Sequence, residues 1–182
     1  MRLLHFIEVE NFKRFGGTQR MKLDHPAVLI GPNNCGKTSA IQAIALWSQA
    51  VKTWLDAKAE TAASERTATA LNRLAITAVP VQKTRYFWYN TRVHSGRDSV
   101  PMSISVGVFW RGQVVPVKMK FRHQGDELVY CTPDDAALTD LELLHHAAGI
   151  NVELLYPMSG LATEEPELKP GRINVLLGWG ET

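Results

Sequence analysis

Between Leu29 and Ser39 the chain reads LIGPNNCGKTS, which sets two glycines, a lysine and a hydroxyl residue at fixed offsets behind an apolar run. Gly31, Gly36, Lys37 and Thr38 satisfy the spacing G-x-x-x-x-G-K-[ST]. A di- or triphosphate carries several negative charges and needs many donors close together. Main-chain N–H groups converge on such an anion only where the loop wraps tightly and side chains do not obstruct it, hence the glycines at both ends. A helix opening near Lys37 adds its free N–H groups and the positive end of its dipole. The Lys37 ammonium would reach the β- and γ-phosphates as the catalytic cation, and the Thr38 hydroxyl would hold Mg²⁺. Asn33, Asn34 and Cys35 fill the variable positions of the loop, and Ser39 is the neighbouring hydroxyl. ATP and Mg²⁺ are the ligands this arrangement calls for.

Such a loop works only between a strand and a helix, and the flanking residues predict both. Ala27 to Gly31, AVLIG, is an unbroken apolar run suited to a strand buried on both faces. After Lys37, Ile41, Ile44, Trp47, Val51, Trp54 and Leu55 recur at three- and four-residue spacing, which predicts a helix to about Lys58. Upstream, LLHFIEVENF alternates as a strand, KRFGG turns the chain, and MKLD is a short second strand. Residues 59–76 read as a weakly amphipathic helix or a mobile segment, and RYFWYN as strand-like.

The clearest β pattern runs from Ser103 to His123. Ile104, Val106, Val108 and Trp110 alternate with Ser103, Ser105, Gly107 and Phe109, and Val115, Val117, Met119 and Phe121 with Pro116, Lys118, Lys120 and Arg122, about an RGQ turn, which predicts an antiparallel hairpin with one buried face. LVYCT follows as a third strand. Thr132 is the expected cap of a helix with Pro133 at its first position, Asp134 and Asp135 in its first turn, and Leu138, Leu141, Leu144, His145 and Ala148 inward. NVELLYP reads as a further strand.

A length of 182 residues, 45% hydrophobic and 21% charged, bounds the chain to about one globular domain with a core. A net charge of +2 does not demand a nucleic acid or an anionic membrane as partner. Two cysteines suit a reducing cytosol, and no apolar stretch approaches the ~20 residues of a membrane span, so a soluble cytoplasmic protein is expected. The six histidines lack metal-ligand spacing. Lys118, Lys120 and Arg122 line one face of the hairpin, with Arg111 near its turn. They form either a DNA backbone track or a solvated face opposite the core, and the pattern by itself favours the solvated face.

LHFIEVENFKRFGG followed by VLIGPNNCGKTSAIQAI resembles the N-terminal part of ABC-type ATPase heads, those of SMC and RecF proteins and of OLD-like ATPases in the wider AAA family. The resemblance covers about the first fifty residues. It implies an α/β P-loop core lobe (1–58), a helical or mobile insert (59–84), an antiparallel β subdomain (85–132) and an incomplete C-terminal segment (133–182). By the same resemblance, residues 11–15 lie near the nucleotide base, so Lys13 and Arg14 become candidates for adenine or phosphate contacts. It further implies a second head as homodimeric partner, ATP-driven dimerisation, and a role in DNA maintenance or phage defence. Such heads also carry an apolar strand ending in Asp-Glu and an LSGGQ-type loop, and neither stands in this sequence. LVYCTPDD and GLATEEPE are imperfect mimics better read as a helix start and a solvated loop. A catalytic C-terminal lobe outside these residues is therefore expected, with little hydrolysis by this chain alone. A nucleoside or small-molecule kinase, and a non-hydrolysing nucleotide-gated interaction module, are the alternatives.

Overall fold

The computed structural model describes residues 3–60 and 68–154. Its frame is a six-stranded antiparallel sheet with one long helix across one face. In chain order the elements are β1 (Leu4–Glu10), β2 (Gln19–Lys22), α1 (Lys37–Glu60), β3 (Thr69–Asn72), a small hairpin of β4 (His94–Ser95) and β5 (Asp98–Ser99), β6 (Met102–Trp110), β7 (Gln113–Gln124), β8 (Leu128–Pro133), α2 (Asp135–Leu138) and α3 (Leu141–Ala148). The large sheet has the order β2-β1-β6-β7-β8-β3. Strands from both ends of the described chain thus share one sheet, because Val9 pairs with Ile104 and Ile7 with Val106 in a β1–β6 ladder.

Alternation decides which face is covered. Ile7 and Val9 of β1, Ile104 and Val106 of β6, Val117 and Met119 of β7 and Cys131 of β8 are all fully buried under α1. The helix presents Trp47, Ala50, Val51 and Trp54 to them. Trp47 also donates its indole N–H to the Val117 carbonyl at 2.8 Å, so a polar group inside the core is satisfied. Ile41, expected on the inner stripe, lies in the helix's second turn and is 43% exposed.

The expected hairpin is present. Trp110 pairs with Gln113, and Arg111 and Gly112, both at positive φ, make the two-residue turn. Five other segments differ from expectation. Residues 69–72 form a strand against β8, in place of the expected weakly amphipathic helix or mobile segment. RYFWYN is not a strand but two short 3₁₀ turns, with Phe87 and Trp88 buried and the Trp88 indole donating to the Val100 carbonyl at 2.8 Å. Thr132 and Pro133 belong to β8, and the helix beyond is two pieces, because Asp134 and Asp140 each accept an N–H as N-caps, from Ala137 and Leu143. The restart at Asp140 rotates the inner stripe to Leu143, Leu144 and Ala147 and leaves Leu141 and His145 exposed.

The fourth difference adjoins the phosphate loop. Residues 27–30 belong to no strand, and Val28 and Ile30 are 75% and 91% exposed. The run is apolar enough to be buried, but no described strand lies beside it. Residues 151–154 of the expected NVELLYP strand form no strand either, while the rest of that stretch, GLATEEPE and INVLLGWGET lie outside the described residues.

Candidate functional site: a phosphate loop at the mouth of α1

Residues 31–36 curl into the first turn of α1, and the first helical hydrogen bond is Ala40 N–H to the Gly36 carbonyl at 2.9 Å. The N–H groups at the head of the helix therefore have no carbonyl of their own turn to bond. Gly36 is required here for two reasons. Its φ of +106° is one that side chains resist, and a Cβ there would stand 3.1 Å from the Phe15 ring. A Cβ on Gly31 would meet the Cys35 sulfur at 2.8 Å, so the other glycine lets the loop close on itself. Asn34 takes φ +63°, a conformation asparagine tolerates.

Lys37 arches back across the loop. Its ammonium donates to the Gly31 carbonyl at 2.6 Å and the Pro32 carbonyl at 2.7 Å, and lies 3.9 Å from the Cys35 sulfur. These are exposed bonds to loop carbonyls, which an anion bringing several charges can replace. The ammonium is thus stationed at the loop mouth and forms no ion pair with a described residue. Around it opens a cleft of ≈ 510 Å³ lined by Arg14, Asn33, Asn34, Gly36, Lys37, Thr38 and Ser39. Within this lining the only charged side chains are the two cations.

Arg14 reaches the cleft because the turn before it is rigidly held. Phe12 and Phe15 exchange backbone hydrogen bonds at 2.9 and 2.8 Å, with Asn11 and Lys13 at positive φ. The Lys13 N–H bonds the Phe87 carbonyl at 2.7 Å and the Tyr89 N–H bonds the Asn11 carbonyl at 3.1 Å, so the two 3₁₀ turns buttress this hairpin. Lys13 itself points elsewhere. Its ammonium donates to Gln42 Oε1 of α1 at 2.7 Å, and burial lowers its pKa. It ties the turn to the helix that carries the loop. Sequence reasoning missed Phe15 and Gln42, the residues that seat the turn against Gly36 and α1; no local pattern marks either.

Among the expected site residues, then, Gly31 and Cys35 shape the loop. Asn33, Asn34, Gly36, Lys37, Thr38, Ser39 and Arg14 line the cleft, and Lys13 stands behind it. Cys35 is exposed, whereas Cys131 is buried and its thiol is pushed up to about 12 by desolvation. A polyphosphate suits this donor set of main-chain N–H groups and two cations. For Mg²⁺ the cleft offers hydroxyls and no carboxylate, so Thr38 would supply one ligand at most and phosphate oxygens and water the others. No group of three metal-ligating side chains occurs among the described residues, and no described helix is long and apolar enough to cross a membrane.

Residues 1–79 match the family model of the AAA ATPase domain. No curated protein is a match for the chain. The matched stretch contains the 11–15 turn, the phosphate loop, α1 and β3, and hence every residue lining the cleft. It supports an ATP-binding ATPase of the AAA type.

Proposed function

We propose that this chain is the nucleotide-binding lobe of an SMC/RecF/OLD-like ATPase head. The observation that carries the reading is the Lys37 ammonium held across the mouth of a glycine-bounded loop, at the N-terminus of a 24-residue helix. ATP enters with its phosphates over the helix terminus. The N–H groups near Gly36, Lys37 and Thr38 bind oxygens, and Lys37 exchanges two carbonyls for β- and γ-phosphate oxygens. The Thr38 hydroxyl would help hold an accompanying Mg²⁺, which supplies charge neutralisation of the phosphates when bound. Arg14, from the opposite wall, contacts phosphate or adenine.

The lining residues include no carboxylate to orient water, so this lobe binds nucleotide and leaves hydrolysis to groups supplied from elsewhere. A C-terminal lobe, and a second head joined through ATP, are the proposed sources, in a protein of DNA maintenance or phage defence. The exposed run at Val28 and Ile30, next to the loop, is where a strand of that C-terminal lobe would dock.

Titration of a fluorescent ATP analogue into the chain and its Lys37→Ala variant tests the reading. Saturable, Mg²⁺-dependent binding lost in the variant is expected. Equal affinity in both would end the assignment.

A further inference from the structure

We propose that the sheet face opposite α1 binds single-stranded nucleic acid through its phosphates. The inference rests on how the cations are partnered. Arg73, Lys83, Arg85 and Arg111 are each held by a carboxylate: Glu127, Asp126, Asp126 again and Glu142. The cations of the open face are not. Among the described residues Lys22, Lys118, Lys120 and Arg122 make no side-chain hydrogen bond or ion pair, and Arg20 has only the Phe6 ring, 3.7 Å from its guanidinium. Unpaired cations gathered on one face repel one another and gain most from an anionic partner.

Their placement fits an extended polyanion. Lys118, Lys120 and Arg122 alternate along β7, so they point the same way at intervals of about 6.8 Å. Consecutive cations can meet consecutive phosphates of an extended strand. Opposite them on β8, Lys120 pairs with Thr132 and Arg122 with Tyr130, which places a hydroxyl and a half-buried aromatic beside the row for sugar and base contacts. A hollow of ≈ 680 Å³ opens between Lys118 and a second pair of cations, Arg20 and Lys22 on β2; Glu8 and Asp134 line it as well, so the phosphate path is the β7 row and not the hollow. Among the described residues no helix or ribbon stands on this face to enter a duplex groove, so a single strand suits it better than double-stranded DNA.

The acids of this face do not cancel the row. Glu8 and Glu10 stand on β1, two strand spacings from β7, a separation of about 10 Å. That is about one Debye length at physiological salt, so their repulsion of a strand lying on β7 is largely screened. Ser103 and Ser105 on the intervening β6 are small and keep the floor low. Asp134 is engaged as the cap of α2.

Fluorescence anisotropy with a labelled 15-mer of oligo-dT, read against salt, tests the proposal on the whole chain. Lys118→Gln/Lys120→Gln/Arg122→Gln is expected to weaken binding at least tenfold and to flatten the log–log salt slope by about 2, three phosphate contacts at about 0.7 each. Tyr130→Ala is expected to weaken binding with the slope unchanged. Arg73→Gln/Lys83→Gln is expected to bind as the wild type. Lys37→Ala is expected to retain the oligonucleotide, so failure here is separable from failure of the nucleotide site. The proposal is overturned if the triple variant, folded by circular dichroism, binds like the wild type. No wild-type binding at low salt overturns it too, as does equal affinity for a duplex or for polyglutamate.

Discussion

Gly36→Ala places one methyl group where the loop has no room for it. The residue sits at φ +106°, and holding a side chain in so sparse a conformation costs on the order of 1–3 kcal/mol. The new Cβ would stand 3.1 Å from the Phe15 ring, which is half-buried against the core and must give by a few tenths of an ångström; overpacking of this kind costs about 1–3 kcal/mol. The lower ends together give about 2 kcal/mol, roughly a thirtyfold change in an equilibrium constant. If the loop holds its shape, that cost appears in stability, as a lower urea midpoint followed by tryptophan fluorescence. If the loop flips to relieve it, the cost appears as an approximately thirtyfold weaker ATP affinity. Gly17→Ala is the control, since nothing lies within 4 Å of its Cβ position, and a change within about 0.5 kcal/mol is expected. A Gly36→Ala protein with wild-type midpoint and wild-type affinity would refute the geometric argument.

Three further outcomes are expected. Iodoacetamide should label the exposed Cys35 and spare Cys131, buried with its thiol near 12, and ATP–Mg²⁺ should slow the labelling; mass spectrometry reads both, and labelling indifferent to ATP counts against phosphate binding at the loop. Trp47→Ala should cost about 3–5 kcal/mol by urea unfolding, because it empties the core under α1 and strands the Val117 carbonyl, while Trp47→Phe should cost less. His123 has its pKa lowered by burial, then by His94 and Arg85, with Asp126 opposing, so the unfolded chain binds the proton more readily. Its contribution to stability is full above the ordinary histidine value of 6.5 and is lost as pH falls through the lower folded value. His123→Gln should therefore lose less stability than wild type between pH 7.5 and 5.5, and an identical pH slope would count against it.

The sequence made legible what depends on neighbours along the chain. The phosphate loop is contiguous, so its spacing and the helix after it could be read directly. The β6–β7 hairpin was equally plain, because its alternation is local and Arg111-Gly112 closes it. Features that depend on distant partners were not legible. Thr69–Asn72 has no alternation to mark it and becomes a strand only by pairing with β8, more than fifty residues on. Ala27–Ile30 has the composition of a buried strand, yet burial requires a neighbouring strand, and Val28 and Ile30 stand exposed. The Asp140 cap broke a helix whose apolar periodicity ran on through it. At the site, Arg14 was reached by resemblance, whereas the Phe15 contact with Gly36 and the Lys13–Gln42 bond exist only in three dimensions.

The most direct measurement is an ¹⁵N–¹H spectrum of the labelled chain titrated with ATP–Mg²⁺. Amides of residues 33–39 should shift together and saturate, with Arg14 beside them, and Lys37→Ala should abolish the response. Shifts centred on any other surface, or none at the head of α1, would contradict the claim that main-chain amides and Lys37 grip a polyphosphate there.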